Sequence, residues 1–67
     1  MEIKVNGEFR EIPENTTVVG LLGLMNITDK SSVAVAVNMQ VVSRYNWDAA
    51  YLKPNDNVLL IEASHGG

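Results

Sequence analysis

An Asn-Gly pair set between two short alternating runs is the feature that most restricts this chain. Ile3 and Val5 alternate with Glu2 and Lys4 before Asn6-Gly7, and Phe9 and Glu11 alternate with Glu8, Arg10 and Ile12 after it. Both turn residues tolerate the positive φ of a type I′ turn, so the spacing predicts a hairpin of strands over 1–6 and 8–12. Pro13 lacks a ladder donor and closes it. Such a hairpin needs a cover for one face, and the chain has only 67 residues to supply it. A domain of that size buries only about 60% of its unfolded surface. Cysteine is absent, which removes disulfides, thiolate metal sites and a cysteine nucleophile. Nearly every large apolar side chain is therefore committed either to the core or to a partner surface.

The cover is predicted just downstream. Val18, Leu21, Leu22 and Met25 fall at i, i+3, i+4 and i+7, one face of a helix. Asn15, Thr16 and Thr17 are candidate N-caps. Gly20 and Gly23 each cost about 1 kcal/mol relative to alanine, so this helix depends on packing against a sheet. Val19 and Leu24, on its other side, are also apolar. A polar connection over 26–32 leads to Val33-Ala34-Val35-Ala36-Val37, a central strand by composition. Asn38-Met39 is a tight turn into a strand over 40–43. Residues 44–51 read as a short helix started at Asn46, with Trp47 and Tyr51 four apart on one face. A turn cluster over 53–57 precedes a last strand over 58–62, and 63–67 form a tail.

Strands gathered on one side of a single main helix make an α+β two-layer domain. The first and last strands cannot be joined by a hairpin, so they pair as parallel neighbours. The expected architecture is a β-grasp, the ubiquitin-like plan, with a mixed sheet of four to five strands. It spans residues 1–62 as one domain, with 63–67 as a flexible Gly-Gly tail.

Two consecutive terminal glycines arise by chance on the order of 0.5% of the time, given about 7% glycine in general. Gly66 and Gly67 have no Cβ, so an extended tail ending in them can thread a narrow tunnel and present an α-carboxylate at its end. That carboxylate is ionised at neutral pH and inert as an acyl donor. It needs activation, as an acyl-adenylate made by a separate ATP-using enzyme. The small protein is then a co-substrate rather than a catalyst. The competing reading is a frayed chain end without function.

Parity in the last strand points to a partner surface. Val58 and Leu60 lie on one face, Leu59 and Ile61 on the other, and only one face can pack on the helix. Comparison with ubiquitin-like proteins implies that Val58 and Leu60 point inward, so Leu59, Ile61, Ala34 and Ala36 form an exposed apolar patch of the kind that marks protein interfaces. The alternative is that residues 44–51 cover this face.

The chain resembles the sulfur carrier family of thiamine biosynthesis, the ThiS family, with the small subunit of molybdopterin synthase as a near relative. The resemblance runs through Ile3-Lys4-Val5-Asn6-Gly7, Thr17-Val18 before Leu21-Leu22, and Val33-Ala34-Val35-Ala36-Val37-Asn38. It continues through Val41-Val42-Ser43-Arg44-Tyr45-Asn46-Trp47, the 52–58 turn and Gly66-Gly67. Val-Val-x-Arg-x-x-Trp and the paired glycines are its most specific pieces. The family usually has proline where Ser43 stands and Gly-Asp where Asn55-Asp56 stand.

The resemblance implies that an E1-like adenylyltransferase uses ATP and magnesium to adenylate Gly67, with no cofactor bound by the carrier itself. A persulfide donor then leaves a thiocarboxylate. The sulfur passes to thiazole synthase, or in the molybdopterin branch to the large subunit of the synthase. Gly67 carries the sulfur and Gly66 provides clearance. A ubiquitin-like protein modifier, attacked by lysines, and a non-covalent adaptor are the other functional classes.

Other candidates carry less. His65 stands alone on the tail, with nothing to orient it for acid–base work and no second ligand for a metal; contact with the activating enzyme suits it better. Ser31, Ser32 and Ser43 have no base partner. Asp48, Asp56 and Glu62 read as single solvated carboxylates. Glu8, Glu11 and Glu14 form an acidic edge that steers a basic partner. A net charge of -3, from five basic against eight acidic residues, argues against nucleic acid or an anionic membrane. No apolar run reaches the ~20 residues of a membrane span, and no signal peptide is recognisable. A cytoplasmic location is expected.

Overall fold

A computed structural model describes residues 1–62. Within them the order is β1 (Glu2–Val5), β2 (Glu8–Glu11), α1 (Val18–Leu24), β3 (Val33–Val37), β4 (Gln40–Val42) and β5 (Asn57–Glu62). Short 3₁₀ turns occupy Lys30–Ser32 and Arg44–Asn46. The strands form one mixed sheet in the order β2-β1-β5-β3-β4. β1 and β5 run parallel, with Lys4 beside Asn57 and Val5 beside Val58, and the other neighbours run antiparallel. This is the β-grasp. The strand count settles at five because residues 40–42 pair fully with β3.

Both hairpins turn on left-handed asparagine. Asn6 and Gly7 have φ of 51° and 84°, and Asn38 and Met39 have φ of 52° and 70°. Two successive positive φ values make type I′ turns, whose twist matches that of the flanking strands. Asn55 (φ 69°) stands in the same region. Asparagine tolerates this region nearly as well as glycine, so it keeps the turn.

The helix is one of weak propensity held from outside. Val18, Leu21 and Leu22 are fully buried against Ile3, Val5, Val35, Val58 and Leu60 in one core cluster. Burying each such side chain is worth about 1.5–3 kcal/mol, more than the two helical glycines cost. Thr17 is the N-cap, its Oγ1 accepting from the Gly20 amide at 3.1 Å. Two further amide donors of the first turn are met by the chain's later loop. Val18 N–H donates to the Ala50 carbonyl at 3.0 Å and Val19 N–H to the Trp47 carbonyl at 3.2 Å. Groups that a helix start leaves orphaned thus tie it to residues 47–50. At the far end Met25 is the C-cap, and Asn26 follows at φ 59°, a left-handed stop. Val19 is partly buried against the core, while Leu24 stays half exposed.

The segment after β4 differs from the expected helix. Ser43, not Asn46, caps a single 3₁₀ turn, its Oγ accepting from the Tyr45 amide at 3.4 Å. Ser43 has φ −59°, the value proline would fix; serine here keeps the backbone and adds a cap. Trp47 and Tyr51 share no face. Trp47 is buried and its Nε1 donates to the Val42 carbonyl at 2.9 Å, whereas Tyr51 is exposed and bridges Thr17 in an isolated antiparallel pair. Tertiary hydrogen bonds outweigh the i, i+4 spacing.

Asp56 also departs from expectation. It is buried rather than solvated, with Oδ1 accepting from Asn38 Nδ2 at 3.0 Å and Oδ2 from the Lys53 amide at 2.8 Å. Its carboxylate ties the 53–56 turn to the β3–β4 turn.

Candidate functional site

The face of the sheet turned away from α1 is the surface of interest. Strand parity divides β5 cleanly: Val58 and Leu60 are 0% and 8% exposed, Leu59 and Ile61 48% and 58%. In the β3–β5 register Ala36 stands opposite Leu59 and Ala34 opposite Ile61. Directly opposed residues of an antiparallel pair share a face with Cβ atoms about 5 Å apart. The four residues singled out in the sequence are therefore brought together on one surface. Ala34 is exposed and Ala36 half-buried. Residues 44–51 leave this face open, because Trp47 turns into the core instead.

The patch is wider than the sequence indicated. Ala36 also stands opposite Val41 of β4, which is 81% exposed, so the row Leu59–Ala36–Val41 crosses three strands. Only the register of β4, fixed by the Asn38-Met39 turn, identifies Val41 as its third member. On the other side of β5 the face becomes polar. Lys4 pairs with Asn57 and with Phe9, and its Nζ lies 5.0 Å from the centre of the exposed Phe9 ring.

β5 carries this face and leads directly into residues 63–67. Of the expected site residues, His65, Gly66 and Gly67 lie outside the described residues. Among the described ones, no three His, Cys, Asp or Glu side chains gather in a metal-binding cluster. No helix is long and apolar enough to cross a membrane.

A second group of residues, read from sequence only as turn formers, holds β5 in place. Asn6 Oδ1 accepts from the Leu60 amide at 2.8 Å, and Asn38 Oδ1 accepts from the Asn57 amide at 3.0 Å. Both contacts span long sequence separations. The only signal for them in the sequence is asparagine, rather than glycine, at the first turn position.

Comparison with known proteins places the chain. The family model described as the ThiS family matches residues 3–67. The chain belongs to the ThiS family. Members of this family are small sulfur carriers rather than catalysts. The crystal structure of the thiamine biosynthesis protein ThiS from Geobacter metallireducens is similar over 100% of both chains, with 29% identity and a TM-score of 0.85. The solution structure of a thiamine biosynthesis protein from the same organism is equally similar. It has 29% identity and a TM-score of 0.85, covering 100% of this chain and 88% of that one. No functionally curated protein sequence matches.

Proposed function

We propose that this chain carries sulfur for the thiazole of thiamine as a thiocarboxylate on Gly67, acting as a protein co-substrate in the cytoplasm. The observation that carries the reading is the family match over residues 3–67, which includes Gly66 and Gly67. The likeness to thiamine biosynthesis proteins favours the thiamine branch over the molybdopterin one.

The chemistry starts from an α-carboxylate that is a poor acyl donor. A carboxylate oxygen of Gly67 attacks the α-phosphorus of ATP, bound with magnesium on an E1-like adenylyltransferase, and pyrophosphate leaves. A persulfide sulfur then attacks the acyl carbon, forming the C–S bond as the C–O bond to AMP breaks. A thiol cleaves the resulting S–S bond, entering a disulfide itself, and frees the thiocarboxylate. Its soft, polarisable sulfur is delivered to thiazole synthase. Five residues, 63–67, follow Glu62, and fully extended they would reach at most about 18 Å. Gly66 clears a narrow channel over that reach, and His65 contacts the activating enzyme. Leu59, Ile61, Ala34 and Ala36 form the docking face, where the small alanines admit close approach.

Intact mass after incubation with ATP, magnesium, an E1-like enzyme and a persulfide donor tests the proposal. The expected product has one oxygen replaced by sulfur. Lysine-linked adducts would identify a modifier instead, and an unchanged mass would leave a non-covalent adaptor. Gly66→Ala and Gly67→Ala should lower adenylation on the order of a hundredfold, the cost of about 1 Å of misplacement, at an unchanged Tm. Full activity of either variant would overturn the role given to these glycines.

A further inference from the structure

The parallel pairing of β1 with β5 stops early. Lys4 N–H donates to the Asp56 carbonyl and Asn6 N–H to the Val58 carbonyl, both at 2.9 Å, and there the first strand turns away. The next β5 donor toward that side is the Leu60 amide. It donates to Asn6 Oδ1 at 2.8 Å across 54 residues of sequence. The left-handed backbone of Asn6 (φ 51°) carries its carboxamide to β5. A side-chain carbonyl thus stands in for the backbone rung that the turn removes. Past Leu60, Ile61 and Glu62 pair with Ala34 and Val33 of β3 alone. The Asn6 carboxamide is therefore the last hydrogen bond to β5 from the β1 side among the described residues.

We propose that Asn6 is a positioning residue for activation: its carboxamide fixes the direction in which β5 delivers residues 63–67 to the adenylating enzyme. The inference rests on the carrier reading above. Without this acceptor the end of β5 is held on one side only. The direction of the β5 end then varies more widely, and a smaller fraction of encounters places Gly67 at ATP. Once it is placed, the chemistry is unchanged. The effect belongs in KM and not in kcat.

Three variants of the full chain separate this from a loss of stability. Asn6→Gly keeps the positive φ and removes the acceptor, and Asn6→Asp keeps both. Asn38→Gly removes the clamp at the opposite end of β5, where Asn38 holds Asn57 and Asp56. A hydrogen bond of ordinary net strength predicts that Asn6→Gly raises KM for adenylation roughly three- to tenfold at constant kcat. It should also speed amide exchange at Leu60. Asn6→Asp should restore both, and Asn38→Gly should lower Tm while leaving KM alone. An unchanged KM in Asn6→Gly, an equal rise in Asn38→Gly, or unchanged exchange at Leu60 overturns the inference. A wild-type chain that is never adenylated overturns the carrier reading instead, and Leu60 exchange still reports whether the bond exists.

Discussion

The two faces of β5 carry side chains of nearly the same kind to opposite ends. Val58 and Leu60 are 0% and 8% exposed, while Leu59 and Ile61 are 48% and 58% exposed, on neighbouring residues of one strand. Hydrophobicity does not distinguish them. Pairing parity does: the register that sets Leu60 opposite the buried Val35 sets Leu59 opposite Ala36 on the open side. The inner face is an instrument of folding. The outer face, equally apolar, is left uncovered by the chain's own helices, and exposed apolar patches of this kind usually mark interfaces. Stability and activation should therefore respond to different residues of one strand.

The largest expected effect lies on the inner face. Leu60→Ala removes a buried side chain from a core with few others to compensate, at a cost of about 2–5 kcal/mol. A chain of this length has only roughly 3–10 kcal/mol of stability in total. Chemical denaturation should show a midpoint shifted far down or no cooperative transition at all. A Leu60→Ala variant as stable as the wild type would erase the distinction between the faces.

Both faces are apolar, so which one points inward came from the likeness to ubiquitin-like proteins. The division into two faces was legible in the sequence from alternation. The same holds for the Asn6-Gly7 hairpin and for Val18, Leu21 and Leu22, whose spacing allowed one face to be named before any contact was known. What escaped was set by contacts that local spacing does not encode. Trp47 and Tyr51 were separated by a bond to the Val42 carbonyl and a bridge to Thr17, neither of which helical spacing encodes. Asp56 looked like a solvated turn residue because one of its two partners, Asn38, lies 18 residues away. Val41 joined the outer face only through the register of β4. Of the candidate site, Leu59, Ile61, Ala34 and Ala36 were readable from parity joined to the ubiquitin-like plan, whereas the side-chain hydrogen bond of Asn6 to Leu60 was hidden behind its turn-forming backbone.

A smaller change sharpens the comparison from the helical layer. A Cβ at Gly23 would meet nothing within 4 Å, whereas one at Gly20 would come 3.3 Å from Thr17 Oγ1, the atom that caps the helix. Neither glycine has a positive φ. Gly23→Ala should raise stability by about 1 kcal/mol, the propensity difference alone, seen as a Tm increase of roughly 4–8 °C. Gly20→Ala should gain less, because its methyl crowds the cap. Adenylation should be unaffected by Gly23→Ala, since this change lies on the exposed side of the helix and leaves the open sheet face alone. A loss of adenylation would show that the helix, and not only the open sheet face, meets the partner.

The smallest effect on stability is expected where the effect on function is greatest. Leu59→Asp places a carboxylate on a half-exposed site with water already at hand, so the unfolding free energy should move by no more than about 0.5 kcal/mol. Against a partner the same carboxylate has to be desolvated between Ala36 and the opposing surface, with no cation beside it on β3 or β4. Burying an unpaired charge costs several kcal/mol, so binding to the adenylating enzyme should fall by about a hundredfold or more. Titration calorimetry beside a denaturation curve reads both quantities on one sample. Equal losses in the two would mean that Leu59 belongs to the core after all. Unchanged binding would move the docking surface elsewhere, toward Phe9 and Lys4 on the far side of β5.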